Sequence, residues 1–237
     1  MHATAPMPTA ILLDALGTLV ALEPPAPRLR AELSQRFGLE VSDQQAATAI
    51  AAEIAYYRAH LDEGRDETGL RALRRRCADV LRQALPAADF ELDPLVEALL
   101  ASLQFTAFAD VRPALVAARS RGQRLVVVSN WDVSLQGVLR ALGLGPLLDG
   151  VLTSAGAGAR KPAREIFEQA LALAAAGPDE VVHVGDSLDE DVAGARNAGI
   201  EPVFVRRDGG PAVSGVRTIS TLAELGEVEL PRPPKVI

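Results

Sequence analysis

The sequence predicts an α/β protein: an open parallel sheet with helices on both faces, interrupted after its first strand by an inserted helical bundle. Three observations predict it. Short apolar runs bounded by turn residues recur at Ala10 to Leu13, Leu125 to Val128, Gly150 to Leu152, Val181 to Val184 and Pro202 to Val205, as strands buried on both faces require. Helical stretches separate the later four, and strand alternating with helix implies right-handed crossovers onto one sheet. Between Leu13 and Leu125 lie more than a hundred residues with helical rather than strand periodicity.

Taken in order, Ala10 to Leu13 is the first strand, and the insertion, roughly residues 21–106, follows it. Its apolar residues recur three or four apart, in four sets: Leu29, Leu33, Phe37; Ile50, Ile54, Tyr57, Leu61; Leu70, Leu73, Cys77, Val80; and Leu95, Leu99, Leu103. Each set lies on one face of a helix, and a bundle accounts for the segment better than one long loop would. A helix over Pro113 to Arg121 leads into the second strand. Val133 to Leu142, Arg164 to Ala175 and Asp189 to Ala198 supply the later crossovers. A short helix near Leu222 is expected, and the Gly/Pro-rich chain from Gly209 ends in an irregular PRPPKVI tail. Residues 1–20 and 107–237 thus form the sheet domain and 21–106 the helical one.

Composition narrows the function. The chain has 237 residues, 49% hydrophobic and 23% charged, which excludes disordered and fibrous classes. Aromatics are only 4% and alanine is abundant, as helices packed through small side chains would have it. Twenty-four basic against 31 acidic residues give a net charge of −7, which argues against a nucleic-acid or anionic-membrane surface. A phosphate would have to be bound locally. The single cysteine, Cys77, allows no intrachain disulfide. The opening MHATAPMPTA has neither a basic start nor a long apolar run, so a cytoplasmic protein is expected.

In open α/β sheets ligands bind beyond the carboxyl ends of the strands. There the sequence places Asp14-Ala15-Leu16-Gly17-Thr18-Leu19 after the first strand and Ser129-Asn130 after the second. Gly185-Asp186-Ser187 follows the fourth, with Asp191 five residues past Asp186, and Lys161-Pro162 opens the helix after the third. Two or three carboxylates, a lysine and a hydroxyl suit phosphoryl transfer to a carboxylate nucleophile with one divalent cation. Oxygen ligands favour Mg²⁺, which keeps waters and needs only one or two protein carboxylates, here Asp14 and Asp186.

With these four motifs in order from Asp14 to Asp191, the chain resembles the haloacid dehalogenase (HAD) superfamily, of the type with a helical cap after the first strand. The resemblance implies a HAD-like Rossmannoid core and a hydrolase of small phosphorylated metabolites. It makes Asp14 the nucleophile, Ser129 and Lys161 the phosphate-binding hydroxyl and amine, and Asp186 and Asp191 the acidic metal pair. Thr18 and Asn130 stand beside them as substrate-binding candidates. The backbone carbonyl of Leu16 is implied as a further Mg²⁺ ligand.

Leu16 is the departure. Phosphatases of the superfamily usually carry there a second aspartate, which protonates the leaving oxygen and then activates water, and leucine does neither. Two further readings stay open: a 2-haloacid dehalogenase, whose first motif resembles DALGTL, with Arg28 or Arg30 as its arginine, and a catalytically weak protein that binds a phosphorylated ligand or a partner. Against the dehalogenase stands the acidic run Asp186 to Asp191. The sequence Ser129-Asn130-Trp131-Asp132 resembles a HAD group that varies at the second aspartate.

Other residues take plainer readings. Asp132 reads as a helix cap, Asp189 and Glu190 as first-turn acids, Ser187 as a loop-orienting residue and His183 as a packed core histidine. Trp131 reads as packing, and the cluster Tyr56, Tyr57, Arg58 and His60 as a solvated helix edge with its tyrosines packed into the bundle. Arg71, Arg74, Arg75 and Arg76 read as a solvated helix face.

Overall fold

The structure, a computed structural model, describes residues 6–86 and 91–230. In chain order it contains β1 (Ala10–Leu13), β2 (Val20–Leu22), α1 (Pro25–Phe37), α2 (Asp43–His60), α3 (Glu67–Ala84), α4 (Leu92–Ser102) and β3 (Phe105–Ala107). There follow α5 (Val111–Ser120), β4 (Arg124–Ser129), α6 (Leu135–Ala141), β5 (Gly150–Thr153), α7 (Ser154–Ala157), α8 (Arg164–Ala174) and β6 (Val181–Gly185). A π turn, Leu188–Ala193, runs into α9 (Gly194–Asn197), and β7 (Glu201–Val205) and β8 (Arg217–Ile219) complete the strands. Two compact units result. One holds the described residues up to Ala21, Ala107–Asn130 and those from Leu135 onward; the other holds Leu22–Thr106 with Trp131–Ser134.

The first unit is a six-stranded sheet in the order β5-β4-β1-β6-β7-β8, parallel at every pairing. Every residue of β1 and β6, and all of β4 but Arg124, is buried. That is why these runs are almost unbroken Val, Leu, Ile and Ala: each strand lies under helices on both faces. On one face Ala10, Leu12, Val126 and Val128 pack with Ile166, Phe167 and Ala170 of α8. On the other, α5 packs against β4.

All five expected strands are present. β8 at the sheet edge carries no unbroken apolar run, and its pattern of exposed, half-buried and buried residues gave no comparable signal. Near Leu222 the chain forms a 3₁₀ helix, Leu222–Glu227, instead of an α-helix. The helix expected at Asp189 to Ala198 opens as the π turn. The PRPPKVI tail lies outside the described residues, as do residues 1–5.

Register puts the chemistry-bearing strand ends level. Leu13 pairs with both Val127 and Val184, so Asp14, Ser129 and Asp186 emerge at one edge. The strand order also changes direction here: β4 and β5 lie to one side of β1, and β6, β7 and β8 to the other. This is the switch point at which open α/β sheets bind ligands.

The second unit is a four-helix bundle of α1 to α4 whose core includes Leu29, Leu33, Ile50, Leu73, Cys77, Leu81, Leu95 and Leu99. On α3 the buried face runs through Leu81 rather than the half-buried Val80. Ser42 caps α2 in a reciprocal box with Gln45. Residues 131–134 group with this unit because Tyr57 Oη donates to Asp132 Oδ2 (3.0 Å), Val133 N donates to Gly64 O (3.1 Å) and Trp131 packs on Phe105. Arg71, Arg75 and Arg76 pair with Glu67, Asp93 and Glu63 on an exposed face, contributing little to stability. No helix among the described residues is long and apolar enough to cross a membrane.

Candidate active site

The first unit alone brings Asp14, Ser129, Asn130, Lys161, Asp186 and Asp191 together. Asp14 continues β1, its N–H donating to Val184 O at 2.9 Å. Its Oδ1 accepts from Ser129 Oγ at 2.9 Å and from Lys161 Nζ at 2.6 Å. Lys161 Nζ also reaches Asp191 Oδ1 at 2.5 Å. Asp14, Ser129, Lys161 and Asp191 are all nearly inaccessible to water, whereas Asp186 is exposed.

Asn130 holds the lysine rather than facing solvent. Its Oδ1 accepts from Lys161 N (2.9 Å) and its Nδ2 donates to Lys161 O (3.0 Å), a two-point clamp on the backbone. Asp191 arrives through the π turn, in which Asp191 N and Val192 N both donate to Ser187 O at 3.1 Å. The turn presses the carboxylate against Gly185, where a Cβ would lie 2.1 Å from Asp191 Cγ. Gly17 has φ +86°, and a Cβ there would lie 2.0 Å from Asp186 Oδ2. Gly17 requires glycine for its positive φ, and Gly185 because its Cβ would fall on the buried Asp191 side chain.

His183 packs in the core as expected, fully buried with its ring edge-on to Phe167. Its Nε2 is also 2.8 Å from Asp191 Oδ1, the oxygen that Lys161 uses, while Nδ1 has no partner among the described residues. The bond therefore runs from Nε2–H to the carboxylate. The sequence signal was a single polar residue inside an apolar strand, two positions before Gly185.

Thr18 is fully buried, and its hydroxyl has no hydrogen-bond partner among the described residues. Leu16 is partly exposed and presents an apolar side chain. Asp132 caps the turn before α6 through Ser134 N (2.7 Å), as expected of it. Ser187 Oγ accepts from Glu190 N at 3.1 Å, which orients the π turn. Arg30, one candidate for a substrate-carboxylate arginine, is engaged inside the helical unit with Val41 O and Asp43.

Electrostatics follow from three carboxylates around one ammonium. Burial opposes charge on Lys161, but Asp14 and Asp191 outweigh it and hold the amine charged. Burial raises Asp14, with Lys161 pulling the other way and Asp191 adding to the rise. In Asp191 the desolvation is overcome by Lys161 and by the bond from His183, so it stays well below the carboxylate range. Asp186 is pushed up to about 7, first by desolvation and then by repulsion from Asp14 and Asp191. Ligand oxygens of Asp14, Asp186 and Asp191 lie within 4.8 Å of one another. Such an excess of hard oxygen donors over positive charge fits a divalent cation such as Mg²⁺.

A family profile described as "Hydrolase: haloacid dehalogenase-like hydrolase" matches residues 8–199. Haloacid dehalogenase-like hydrolase domain-containing protein 3 of Homo sapiens is 46% identical over 87 residues, 37% of this chain and 35% of that protein. Glyceraldehyde 3-phosphate phosphatase of Methanothermobacter thermautotrophicus is 36% identical over 107 residues, 43% of this chain and 45% of that one. The match therefore spans about a third to a half of these curated relatives. Among solved structures, a HAD phosphatase from Thermococcus onnurineus superposes with a TM-score of 0.64 at 25% identity, covering 92% of this chain and 96% of that one.

The charge pattern makes a signed prediction. With divalent cations removed, Asp186 should titrate near 7. Asp191→Asn removes a repelling charge and should lower that midpoint, whereas Lys161→Met removes an attracting one and should raise it. Carbon-13 NMR of the side-chain carboxyls reads both, and midpoints moving in the same direction would contradict the assignment.

Proposed function

The chain belongs to the haloacid dehalogenase-like hydrolase family, and from that footing we propose that it is a Mg²⁺-dependent phosphatase acting on a small phosphorylated metabolite through an aspartyl-phosphate on Asp14. One observation carries the reading. A buried aspartate at a strand end shares one ammonium with a second buried carboxylate, and a third carboxylate stands at its mouth. The phosphatase names of the Methanothermobacter and Thermococcus relatives support it.

Hydrogen bonds from Ser129 and Lys161 both fall on Asp14 Oδ1, so we assign the attack to Oδ2. Oδ2 bonds to phosphorus as the P–O bond to the leaving group breaks, and the leaving oxygen departs with the bonding pair and takes its proton from solvent. Lys161 and Ser129 stabilise the phosphoryl oxygens. Water then attacks the phosphorus, the P–Oδ2 bond breaks, phosphate leaves and Asp14 is restored. Asp14, Asp186 and the Leu16 carbonyl would hold Mg²⁺, with Asp191 reaching the ion or its waters; when bound, it neutralises charge on the phosphoryl oxygens. Asn130 positions Lys161 in this scheme, and Thr18 shapes the substrate end of the turn. Helical residues 21–106 serve as the cap domain.

Dehalogenation, which Leu16 also admits, fits the charge less well, because a haloacid carboxylate would meet three carboxylates and one ammonium. A catalytically weak, ligand-binding role is the remaining reading that Leu16 favours. The acidic balance and single cysteine support a small-molecule substrate, no nucleic-acid partner and a cytoplasmic setting.

A phosphate-ester screen with and without Mg²⁺ tests the proposal. Hydrolysis of an activated aryl phosphate should require the metal and fall about a thousandfold or more in Asp14→Asn. Metal-independent halide release from a 2-haloacid, with no phosphatase activity, would replace this reading with the dehalogenase. A second outcome concerns Leu16. General acid–base catalysis contributes about 10²–10⁴-fold, so Leu16→Asp should raise turnover of alkyl phosphates by at least about tenfold and of aryl phosphates by less. Equal gains would mean that another group already supplies the proton.

A further inference from the structure

The turn after β1 is gripped by a residue from the far end of the chain. Gly17 N donates to Val20 O at 2.8 Å, and Leu19 N and Val20 N donate to Ala15 O at 2.8 and 2.9 Å. These bonds close the turn on itself and leave the carbonyls of Gly17 and Thr18 to be satisfied elsewhere. Arg207, two residues past β7, takes both: Nε donates to Gly17 O at 3.2 Å and Nη2 to Thr18 O at 2.7 Å.

The other edge of the guanidinium is fixed as firmly. Nη1 donates to both carboxylate oxygens of Asp110 at 3.1 Å, and the guanidinium carbon sits 3.8 Å from the centre of the Phe108 ring. Asp110 Oδ2 in turn accepts from Thr221 Oγ1 at 2.8 Å and from Leu222 N at 2.6 Å. The Arg207 and Asp110 side chains are only 18% and 17% exposed, so this fork is largely shielded from competing water. A planar five-donor group can serve two carbonyls, a carboxylate and a ring face at once; an ammonium cannot.

The held turn borders the acidic cluster directly. Gly17 lies so close to Asp186 that no side chain fits between them, and the Leu16 carbonyl belongs to the peptide that ends at Gly17 N. Moving Gly17 therefore moves that carbonyl and the wall against which Asp186 rests. We propose that Arg207 is a positioning residue for the cation site, fixing the Leu16 carbonyl and Asp186 relative to Asp14 by clamping the carbonyls of Gly17 and Thr18. The proposal rests on the Mg²⁺ site assigned above and adds a residue that touches neither the metal nor the substrate.

Calorimetric titration of the full chain with Mg²⁺, alongside thermal unfolding, tests it. Loss of an outer partner that orients ligands commonly weakens metal binding by about 10–100-fold. Arg207→Met should fall in that range, Arg207→Lys should be nearer wild type but still weakened, and Asp110→Asn should weaken binding in the same direction by a smaller factor. Should Arg207→Met fail to fold, the Lys and Asn variants decide. An unchanged Mg²⁺ dissociation constant with a lowered unfolding midpoint would overturn the proposal, because the fork would then be a structural tie alone. Wild-type protein that takes up no Mg²⁺ would instead overturn the underlying metal site, and the proposal with it.

Discussion

One buried ammonium organises the sheet unit's chemistry. Lys161 Nζ stands between Asp14 and Asp191 at 2.6 and 2.5 Å, with all three side chains nearly closed to solvent. Two carboxylates sharing a dry space repel strongly, and removing their common partner typically destabilises a fold by about 3–5 kcal/mol. Whatever places Lys161 therefore supports the fold as well as the charge balance of the site. Asn130 does so through two bonds to the lysine's backbone, and His183 does so by fixing the Asp191 oxygen that the lysine meets.

The compensation is incomplete, and that gives the site its direction. Asp186 is the carboxylate left over, exposed and pushed up to about 7 by its surroundings. Such an excess of negative charge disfavours an approaching anion until a cation stands beside it, so the proposed Mg²⁺ and phosphorylated substrate would support one another's binding. The net charge of −7 is then no obstacle to an anionic substrate. Local geometry decides, through Gly17 and Gly185, where a Cβ would collide with the carboxylates of Asp186 and Asp191.

Much of this was legible in the sequence because burial on both faces forces parallel strands to be apolar, and the residues that interrupt them at their ends then stand out. Asp14, Ser129 and Asp186 stand out that way, and Lys161 by opening the next helix, and the fold brings these four side chains together. The helical periods of residues 21–106 were equally plain, since each of the four helices must bury one face. The π turn was not legible, because its wide hydrogen bonds depend on how Asp191 is drawn against Gly185. His183 was hidden by its own burial: an apolar context says nothing of a single hydrogen bond at Nε2. Arg207 lies two residues past β7, at the strand end where ligand-side residues are expected, but its partners Gly17, Thr18 and Asp110 are distant in sequence and only the fold joins them.

Asp14, held by Lys161 and Ser129, is the proposed phosphoryl acceptor. Beryllofluoride mimics a phosphoryl group on an aspartate, and its uptake is read by fluorine NMR without any substrate. Wild-type protein should show bound-fluoride resonances that require Mg²⁺ and vanish in Asp14→Asn. Resonances that persist in Asp14→Asn, or that never form in wild type with Mg²⁺ present, would contradict that role.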